Sequence, residues 1–228
     1  MAKVNEFEQG KTSNSTNKKR FSEEANIHYR YPSAEELIDN LEHLSEFIQH
    51  HMQHQRPRLK ELHDYYKGEN TNILRNNRRR EDHLADHRAT HGFAEYVSGF
   101  IQGYLVGIPI KTTYPNDEIN EKIRDINREN DADEHNSELV LDQSIYGRAY
   151  ELLYRNKKDQ TRFTVLDVLE TFVIYDDTVE MEPIAGVRYI YNQFSDDTFV
   201  YLYTADKIIT YKLGNDYKLT YVEESHHA

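Results

Sequence analysis

The chain contains no cysteine and no tryptophan among its 228 residues. Without cysteine it can form neither disulfide bonds nor metal sites built on thiolates, and this fits a protein made in a reducing cytoplasm. Tyrosine, in contrast, occurs 18 times. Because its ring is apolar and its tip polar, tyrosine suits half-buried strands and partner-covered surfaces, and a tyrosine-rich core fits nearly as well.

Long apolar runs are also absent. No stretch approaches the roughly 18 uninterrupted apolar residues that a membrane-spanning helix needs. The first residues include Lys3, Glu6 and Glu8 and lack the apolar region of a signal peptide. The sequence therefore predicts a soluble protein of intracellular origin that makes no membrane contact.

Basic residues are scarce relative to acidic ones. Lysine and arginine together number 28, aspartate and glutamate number 40, and the formal net charge is −12. Proteins bind nucleic-acid backbones with Lys and Arg side chains that displace counterions, so this chain is not expected to hold nucleic acid over a broad face. Any nucleic acid should be contacted locally or slide past.

Motifs of several enzyme classes are missing. The chain has no GxxxxGK[ST] or GxGxxG phosphate loop and no GxSxG nucleophile motif. Two pairs of adjacent aspartates, at 176–177 and 196–197, lie between predicted strands, where aspartate favours turns. Acid–base or two-metal chemistry at these pairs is the less favoured interpretation. We therefore predict a non-enzymatic protein with no catalytic residue and no cofactor.

The chain is organised around residues 139–155, LVLDQSIYGRAYELLYR. Apolar residues recur at helical spacing up to Tyr146, after a polar run at 131–138 that could cap the helix start. Gly147 stands where a helix commonly ends in the left-handed conformation. The residues after it alternate in the manner of a strand. A helix is therefore expected to lead directly into a sheet.

The region before this unit is predicted to be mostly helical. Residues 1–25 are polar and predict a disordered arm. Ser33, with Glu36 three residues later, predicts the cap of a helix running to about His54. Its inward face is expected to hold Leu37, Leu41, Leu44 and Ile48. A second helix is predicted to begin at 55–58, with Pro57 in its first turn, and to end at Gly68; an exposed loop should follow at 69–80.

Two more helices are expected in this half. Residues 91–106 predict an amphipathic core helix, ended by Gly107 and Pro109 and carrying a stripe of small residues at Gly99 and Gly103. Its inward side is assigned to Phe93, Val97, Phe100, Ile101 and Tyr104. Residues 116–127 predict another helix, with Ile119, Ile123 and Ile126 facing inward.

After Gly147 the pattern predicts short antiparallel strands separated by turns. They are expected at 162–166, 171–175, 184–191, 199–203, 207–211 and 218–222. The chain is therefore predicted to be α+β, helical over 33–146 and β-rich over 148–222. It ends at 223–228 directly after a strand, without a cap or closing helix, which predicts a piece of a longer polypeptide.

Two alternative functions start from charged or ligating side chains. His83, His87 and His91 would share a face if the helix began early, as would His50 and His54, so a metal-binding enzyme is one alternative. A HExxH motif is absent, because Leu84 and Arg88 occupy the positions after the first two histidines. The second alternative is a nucleic-acid-binding module built on four arginines: Arg75, Arg78, Arg79 and Arg80. A solvated loop or a subunit contact is the favoured interpretation of these arginines.

Four blocks of the sequence carry a family resemblance. They are HMQHQRPRLKELHDYYKGE at 51–69, FAEYVSGFIQGYLVGIPI at 93–110, DQSIYGRAYELLYR at 142–155 and TFVIYDDTVEMEPIAGVRYIY at 171–191. In this order and spacing they resemble the portal proteins, or head-to-tail connectors, of tailed bacteriophages infecting Gram-positive bacteria. The similarity extends from about residue 26 to the end of the chain and is greatest to staphylococcal siphophage portals.

The resemblance implies a structural virion protein assembled in the host bacterial cytoplasm. Portals form homo-oligomeric rings, usually of twelve subunits, at one capsid vertex. Their partners are the major capsid protein, the scaffold protein, the terminase large subunit and the head–tail adaptor. Double-stranded DNA passes through the ring during packaging and ejection. Such proteins have no catalytic residues, cofactor or resident metal.

The resemblance also implies which part of a portal is present. The chain corresponds to the peripheral wing, and the stem, clip, tunnel loop and crown would lie beyond Ala228. A set of positions carries the family signature with structural roles: Tyr65, Tyr66, Gly68, Gly107, Pro109, Ser144, Tyr146, Gly147, Tyr150, Glu151, Tyr175, Asp176, Gly186, Arg188 and Tyr189.

Overall fold

The structure is a computed structural model, and it describes residues 25–70, 73 and 87–226. It has the predicted α+β architecture, with most helices in the N-terminal half and antiparallel strands after them. The predicted N-terminal arm and the arginine cluster at 75–80 lie outside the described residues. Across the described residues, no helix has both the length and the apolar character required to cross a bilayer.

The helices of the described residues follow the predicted order. They are α1 (Ala34–Asp39), α2 (Leu41–His50), α3 (Arg56–Tyr66), α4 (Phe93–Val106), α5 (Asp117–Glu129) and α6 (Ala132–Tyr146). The segment His51–Gln55 joins α2 to α3 as a π turn. The described part of the predicted loop at 69–80 lies mostly outside regular helix.

The first predicted helix is divided in two. Ser33 caps α1, because its Oγ accepts a hydrogen bond from the Glu36 amide at 3.2 Å. The chain then leaves helical geometry at Asn40, whose φ is −117° and ψ 68°, and resumes as α2. Leu37, Leu44 and Ile48 are fully buried, as their spacing predicts. The prediction of one continuous helix was wrong at a single residue, where asparagine has low helix propensity.

At the predicted start of the second helix, before Pro57, the chain changes from a π turn to an α-helix. Pro57 has no amide hydrogen and its ring crowds the carbonyl four residues earlier, so a regular α-helix is disfavoured there. The preceding turn widens instead, and the Arg56 amide donates to the His51 carbonyl, five residues back. The wide turn places His51 and Gln55 in the interior, where both are buried. Gly68, at φ 81°, follows the end of α3.

Most strands form one sheet of six. Its strands are β1 (Tyr29–Arg30), β4 (Thr171–Tyr175), β5 (Pro183–Asn192), β6 (Asp197–Tyr203), β7 (Lys207–Leu213) and β8 (Leu219–His226), adjacent in that order. All neighbours are antiparallel except β1, which pairs in parallel with β4. The sheet therefore contains five of the six strands predicted for the meander, from 171–175 onward, and one short strand from the N-terminal half.

The hydrophobic core lies between one face of this sheet and helices α1 and α2. Alternating residues of the central strands are buried, including Val187, Val200 and Leu202. They belong to one cluster with Leu44 and Ile48 of α2. Since each fully buried aliphatic side chain contributes roughly 1.5–3 kcal/mol, this layer supplies much of the stabilisation.

The strand after Gly147 does not enter the main sheet. β2 (Tyr150–Arg155) and β3 (Thr161–Leu166) form a separate antiparallel hairpin. The predicted passage from helix through Gly147 to strand is present, but that strand and the strand predicted at 162–166 pair with each other and not with the meander. Period-two alternation identifies a strand but carries no information about which sheet it joins.

The ends of α6 were predicted with unequal success. Gly147 has φ 73° and its amide donates to the Gln143 carbonyl at 2.9 Å, as expected for a left-handed C-cap. The polar run at 131–138 is not a cap preceding the helix, because α6 begins at Ala132 and includes it. Asp131, also left-handed, makes no side-chain cap hydrogen bond.

For two helices, the prediction of which side chains face inward was wrong or overstated their burial. On α5, Asn116 caps the helix, but Ile119 is exposed and Ile123 and Ile126 are only half-buried. On α4 the error is larger. Its aromatic side faces outward, and Ser98 is the buried residue. The pattern correctly gave the helix, but which face meets the rest of the chain depends on the neighbouring helix.

Candidate functional site: the helix–sheet junction

A buried polar network joins the π turn to the segment after α6. The Gln55 amide Nε2 donates to the Ile27 carbonyl at 2.9 Å, and its Oε1 accepts from the Arg148 guanidinium at 3.1 Å. Gln55 is 1% exposed. One side chain thus connects the N-terminal segment, the π turn and the residue after Gly147.

His51 connects the π turn to the sheet. Its Nδ1 lies 3.0 Å from the Tyr189 hydroxyl, which also lies 3.0 Å from the Leu169 carbonyl. A carbonyl only accepts, so the single hydroxyl proton of Tyr189 is donated to Leu169. His51 Nδ1 therefore carries a proton and donates to Tyr189. This contact fixes the tautomer of a fully buried histidine.

The neighbouring residues form an aromatic layer. His51 stacks on Phe172, with ring centroids 4.8 Å apart, and Tyr29 packs against Phe172 at 4.9 Å. The Tyr29 hydroxyl and His50 Nδ1 are 2.8 Å apart. The Arg56 guanidinium lies 5.8 Å from the centre of the Tyr189 ring. These rings hold the π turn against β4 and β5.

Burial keeps three members of this layer, His51, Tyr29 and Tyr189, neutral. Loss of solvation lowers the pKa of His51 to about 3, and the nearby cations Arg148 and Arg56 act in the same direction. Burial also raises the pKa of Tyr29 and of Tyr189 well above the ordinary tyrosine value. At neutral pH these groups act as uncharged hydrogen-bonding partners, and none is poised for proton transfer.

A second polar contact set holds α6 against α3 and α4. The Tyr146 hydroxyl lies 2.7 Å from His63 Nδ1, and their rings are nearly parallel. The Ser144 hydroxyl donates to Ser98 Oγ at 3.0 Å. Burial, together with the Asp142 charge, raises the pKa of Tyr146 to about 12.

Asp142 is the acidic group of this region. Burial, together with the negative charges of Asp167 and Glu138, raises its pKa to about 6. A carboxyl with such a value can serve as a proton donor in an active site. The perturbing groups here are all acidic or apolar, and the described residues include no cluster of His, Asp and Glu suited to a metal.

The hairpin is attached through Glu151. Its carboxylate lies 2.8 Å from Nε2 of His135, a buried residue of α6. The His135 ring also packs edge-on against Phe163 of β3, with centroids 4.6 Å apart. Tyr150, at the start of the hairpin, is half-buried, and burial raises its pKa.

Several other signature positions shape the loops of the main sheet. Asp176 accepts from the Glu182 amide at 3.0 Å and from the Thr178 hydroxyl at 2.7 Å, so it organises the β4–β5 loop. Tyr175 ends β4 beside His28. Gly186 faces Tyr203, and Arg188 pairs with Thr171 across β4 and β5.

The remaining signature positions end helices. The Tyr65 carbonyl accepts a hydrogen bond from the Gly68 amide at 3.1 Å, and the Tyr66 ring lies near His63. Gly107 and Pro109 follow α4 and are exposed. The second aspartate pair also has a turn role, because Asp196 accepts from Tyr191 at 2.5 Å and Asp197 pairs with Lys212 at 2.7 Å.

Among the described residues, no group of three His, Asp or Glu side chains is placed to hold a metal ion. His87 and His91 lie in the irregular segment before α4, which begins at Phe93, so the expected shared helical face does not form there. His83 and the four arginines at 75–80 lie outside the described residues. His50 and His54 stack on each other at 4.7 Å, while His50 is bonded to Tyr29.

Sequence reasoning missed the central part of this site. His51, Gln55 and Arg148 were not singled out as interacting, because 93 positions separate Gln55 from Arg148. The signal in the sequence was that polar residues recur at helical positions expected to be buried. A buried polar group needs a hydrogen-bonding partner, which must then lie elsewhere in the chain. The arrangement links four segments rigidly and positions no reactive group.

Comparison with known families gives one match. Residues 45–228 match the family model described as "Phage portal protein, SPP1 Gp6-like". The matched region includes the π turn, α6, the hairpin and β4–β8. No curated protein matches the chain.

Proposed function

The chain belongs to the SPP1 Gp6-like phage portal protein family, and from this membership we propose that it is a structural subunit of the portal ring at one vertex of a tailed-phage capsid. The family is structural rather than enzymatic, and its members are capsid components. The family match over 45–228 is the single observation that carries the proposal.

The proposed assembly is a closed homo-oligomeric ring, with twelve subunits as the expected number. Double-stranded DNA would pass through its centre during packaging and ejection. The terminase large subunit and head–tail adaptor would dock on the ring, and the major capsid and scaffold proteins would surround it. The net charge of −12 is compatible with this role, because an acidic chain does not hold the phosphate backbone over a broad face.

The junction geometry supports a structural role. Gln55, His51 and Tyr146 each connect segments distant in sequence through buried or half-buried hydrogen bonds. Buried hydrogen bonds between distant segments favour one arrangement of those segments. A ring that holds its shape while DNA moves through it requires subunits of that kind.

The proposal is tested by imaging and labelling. We expect the purified chain to form rings with a central opening in negative-stain images, with a mass in light scattering near twelve times 27.1 kDa. Antibodies against the chain should label one vertex per virion. Labelling spread over all vertices, or confined to non-capsid fractions, would contradict the proposed function.

A further inference from the structure

Helix α4 turns its polar side toward its own chain. Ser98 is 6% exposed and meets Ser144, and Gln102 donates to the Ser137 hydroxyl of α6 at 2.9 Å. Ser98 and Gln102 are four residues apart, so they form a narrow contact stripe facing α6. The side that would normally be buried in a soluble protein is thus the outer side.

The outward side of α4 and the segment after it carry exposed apolar residues, which we call the α4 apolar face. Every member is at least 37% exposed, and Tyr104 reaches 81%. The face consists of Phe93, Tyr96, Val97, Phe100, Ile101, Tyr104 and Leu105 of α4, with Ile108, Ile110 and Tyr114 after it. No helix or strand of the described residues covers it.

The size of this face exceeds what a free surface normally shows. At roughly 200 Å² per aromatic side chain, the exposed fractions of its five aromatic residues alone give about 700 Å², and the whole face is on the order of 1,000 Å². The largest apolar patch on a typical monomer is about 300–600 Å². One side of a stable protein–protein interface is about 800 Å².

The chemistry of the face indicates the kind of partner. Between residues 93 and 110 the only charged residue is Glu95. Interfaces of permanent homo-oligomers are large and apolar like a protein core, whereas interfaces with transient partners keep more polar and charged groups. An almost uncharged face of this area therefore fits a permanent contact.

We propose that the α4 apolar face is a contact surface between neighbouring copies of this chain. The inference rests on the proposed ring and identifies which surface builds it. A ring requires two different surfaces on each subunit, so the α4 apolar face of one copy meets another surface of the next. Gly99 and Gly103, where an added Cβ would meet no atom within 4 Å, allow the neighbouring backbone to approach closely.

Photo-cross-linking identifies the occupant directly. The chain has no cysteine, so Gly103→Cys can be labelled at one position with a benzophenone maleimide. Mixing ¹⁴N and ¹⁵N copies separates links between copies from links within one. We expect mixed-isotope cross-links from Gly103→Cys. The matched control is Phe194→Cys, a fully exposed position between β5 and β6, which should give few.

Charge substitution tests the energetics. The double variant Phe100→Glu with Tyr104→Glu should raise the dissociation constant between copies at least about tenfold in sedimentation velocity, because both charges would have to be buried. Both side chains are exposed in one subunit, so folding should persist by circular dichroism. Phe194→Glu should leave association unchanged.

The outcomes separate this inference from the proposed function. Cross-links confined to one copy, a wild-type chain that stays monomeric, or unaltered association of the double variant would each overturn the inference. Rings whose cross-links avoid the α4 apolar face would overturn it while leaving the portal role intact. Links between copies without single-vertex labelling would support the contact and contradict the portal role.

Discussion

At the scale of single residues, the buried polar groups of the junction are sensitive to substitution because they share hydrogen-bonding partners. Tyr189 accepts from His51 and donates to Leu169, so its hydroxyl satisfies two buried groups at once. Removing one member of such a set leaves its partners unpaired, and this costs more than the net value of the bond.

The first prediction concerns that hydroxyl. Tyr189→Phe should lower the free energy of unfolding by about 1–3 kcal/mol, because the His51 Nδ1 proton and the Leu169 carbonyl lose their partner. Urea denaturation monitored by circular dichroism measures the change. Tyr201→Phe, on the opposite face of the sheet, should change stability by less than about 0.5 kcal/mol. Equal effects of the two substitutions would contradict the assigned hydrogen bonds.

The second prediction concerns acid. The pKa of His51 is about 3 in the folded chain and 6.5 ordinarily, so the unfolded chain binds an additional proton between these values. Stability therefore falls as pH drops from 6.5 toward 3, with a slope of up to about 1.4 kcal/mol per pH unit from this group. His51→Phe should flatten this slope in urea titrations at several pH values.

The control for the His51 experiment is His28→Asn, since His28 is an exposed histidine of the same region. This substitution should leave the acid slope unchanged. A slope that is the same in wild type and His51→Phe would show that the buried imidazole is not the group lost on acidification.

The third prediction concerns Asp142, whose contribution to stability changes with pH in the direction opposite to that of His51. Burial and two neighbouring carboxylates raise the pKa of Asp142 to about 6, so the folded chain holds its proton more tightly than the unfolded chain. The contribution of Asp142 to stability is therefore lost as pH rises from about 4 to 6. Asp142→Asn should stabilise the protein at pH 7 by about 1 kcal/mol, after allowance for partial solvent screening, and less at pH 4.

Thermal or urea denaturation at both pH values would test the Asp142 prediction. Glu121→Gln, an exposed substitution on α5, provides the matched control and should shift stability by less than about 0.5 kcal/mol. Destabilisation of Asp142→Asn at pH 7 would show that the carboxylate has a favourable partner.

At the scale of elements, the transitions between helix types and from helix to strand determine the geometry. The π turn before Pro57 directs His51 and Gln55 inward, and the left-handed Gly147 lets the chain leave α6 toward the hairpin. Both transitions lie within the buried polar contacts described above. Changes in backbone preference at these points should therefore affect the whole junction.

The fourth prediction isolates backbone conformation at Gly147. An added Cβ would meet no atom within 4 Å, so the cost of Gly147→Ala arises only from holding φ at 73°. We expect a loss of about 1–2 kcal/mol in unfolding free energy. Gly147→Asn should lose less, because asparagine tolerates the left-handed region. A neutral Gly147→Ala would indicate that the helix ends differently in solution.

At the scale of the whole molecule, the net charge bears on contact with nucleic acid and the exposed apolar surface bears on contact with protein. The net charge of −12 opposes retention of nucleic acid, whereas the α4 apolar face favours contact with protein. In the proposed portal ring, the acidic balance would suit the passage of DNA and the α4 apolar face would suit contact between copies.

The fifth prediction follows from the net charge. The chain should give no gel shift with double-stranded DNA at about 0.15 M salt, because a net negative surface releases few counterions from the phosphates. A shift that weakens steeply as salt rises would contradict this and would favour the alternative of a nucleic-acid-binding module. Replacing Arg75, Arg78, Arg79 and Arg80 with glutamine would then show whether they carry the binding.

Local patterns in the sequence were sufficient for much of the fold. The Ser33 cap, the left-handed Gly147, the aspartate turns and the β4–β8 meander each depend on a few adjacent residues, and the structure has them all. The α+β class follows from these local features. The four motif blocks also indicated the family that the match over 45–228 shows.

Relations between distant segments required the tertiary structure. The side of α4 that faces its chain, the separation of the β2–β3 hairpin from the main sheet, and the bond between Gln55 and Arg148 all depend on residues far apart in sequence. An apolar stripe identifies a surface that must be covered, but the stripe is the same whether the cover is the chain's own core or another molecule. Packing decides between them, and on α4 it leaves the apolar side outside.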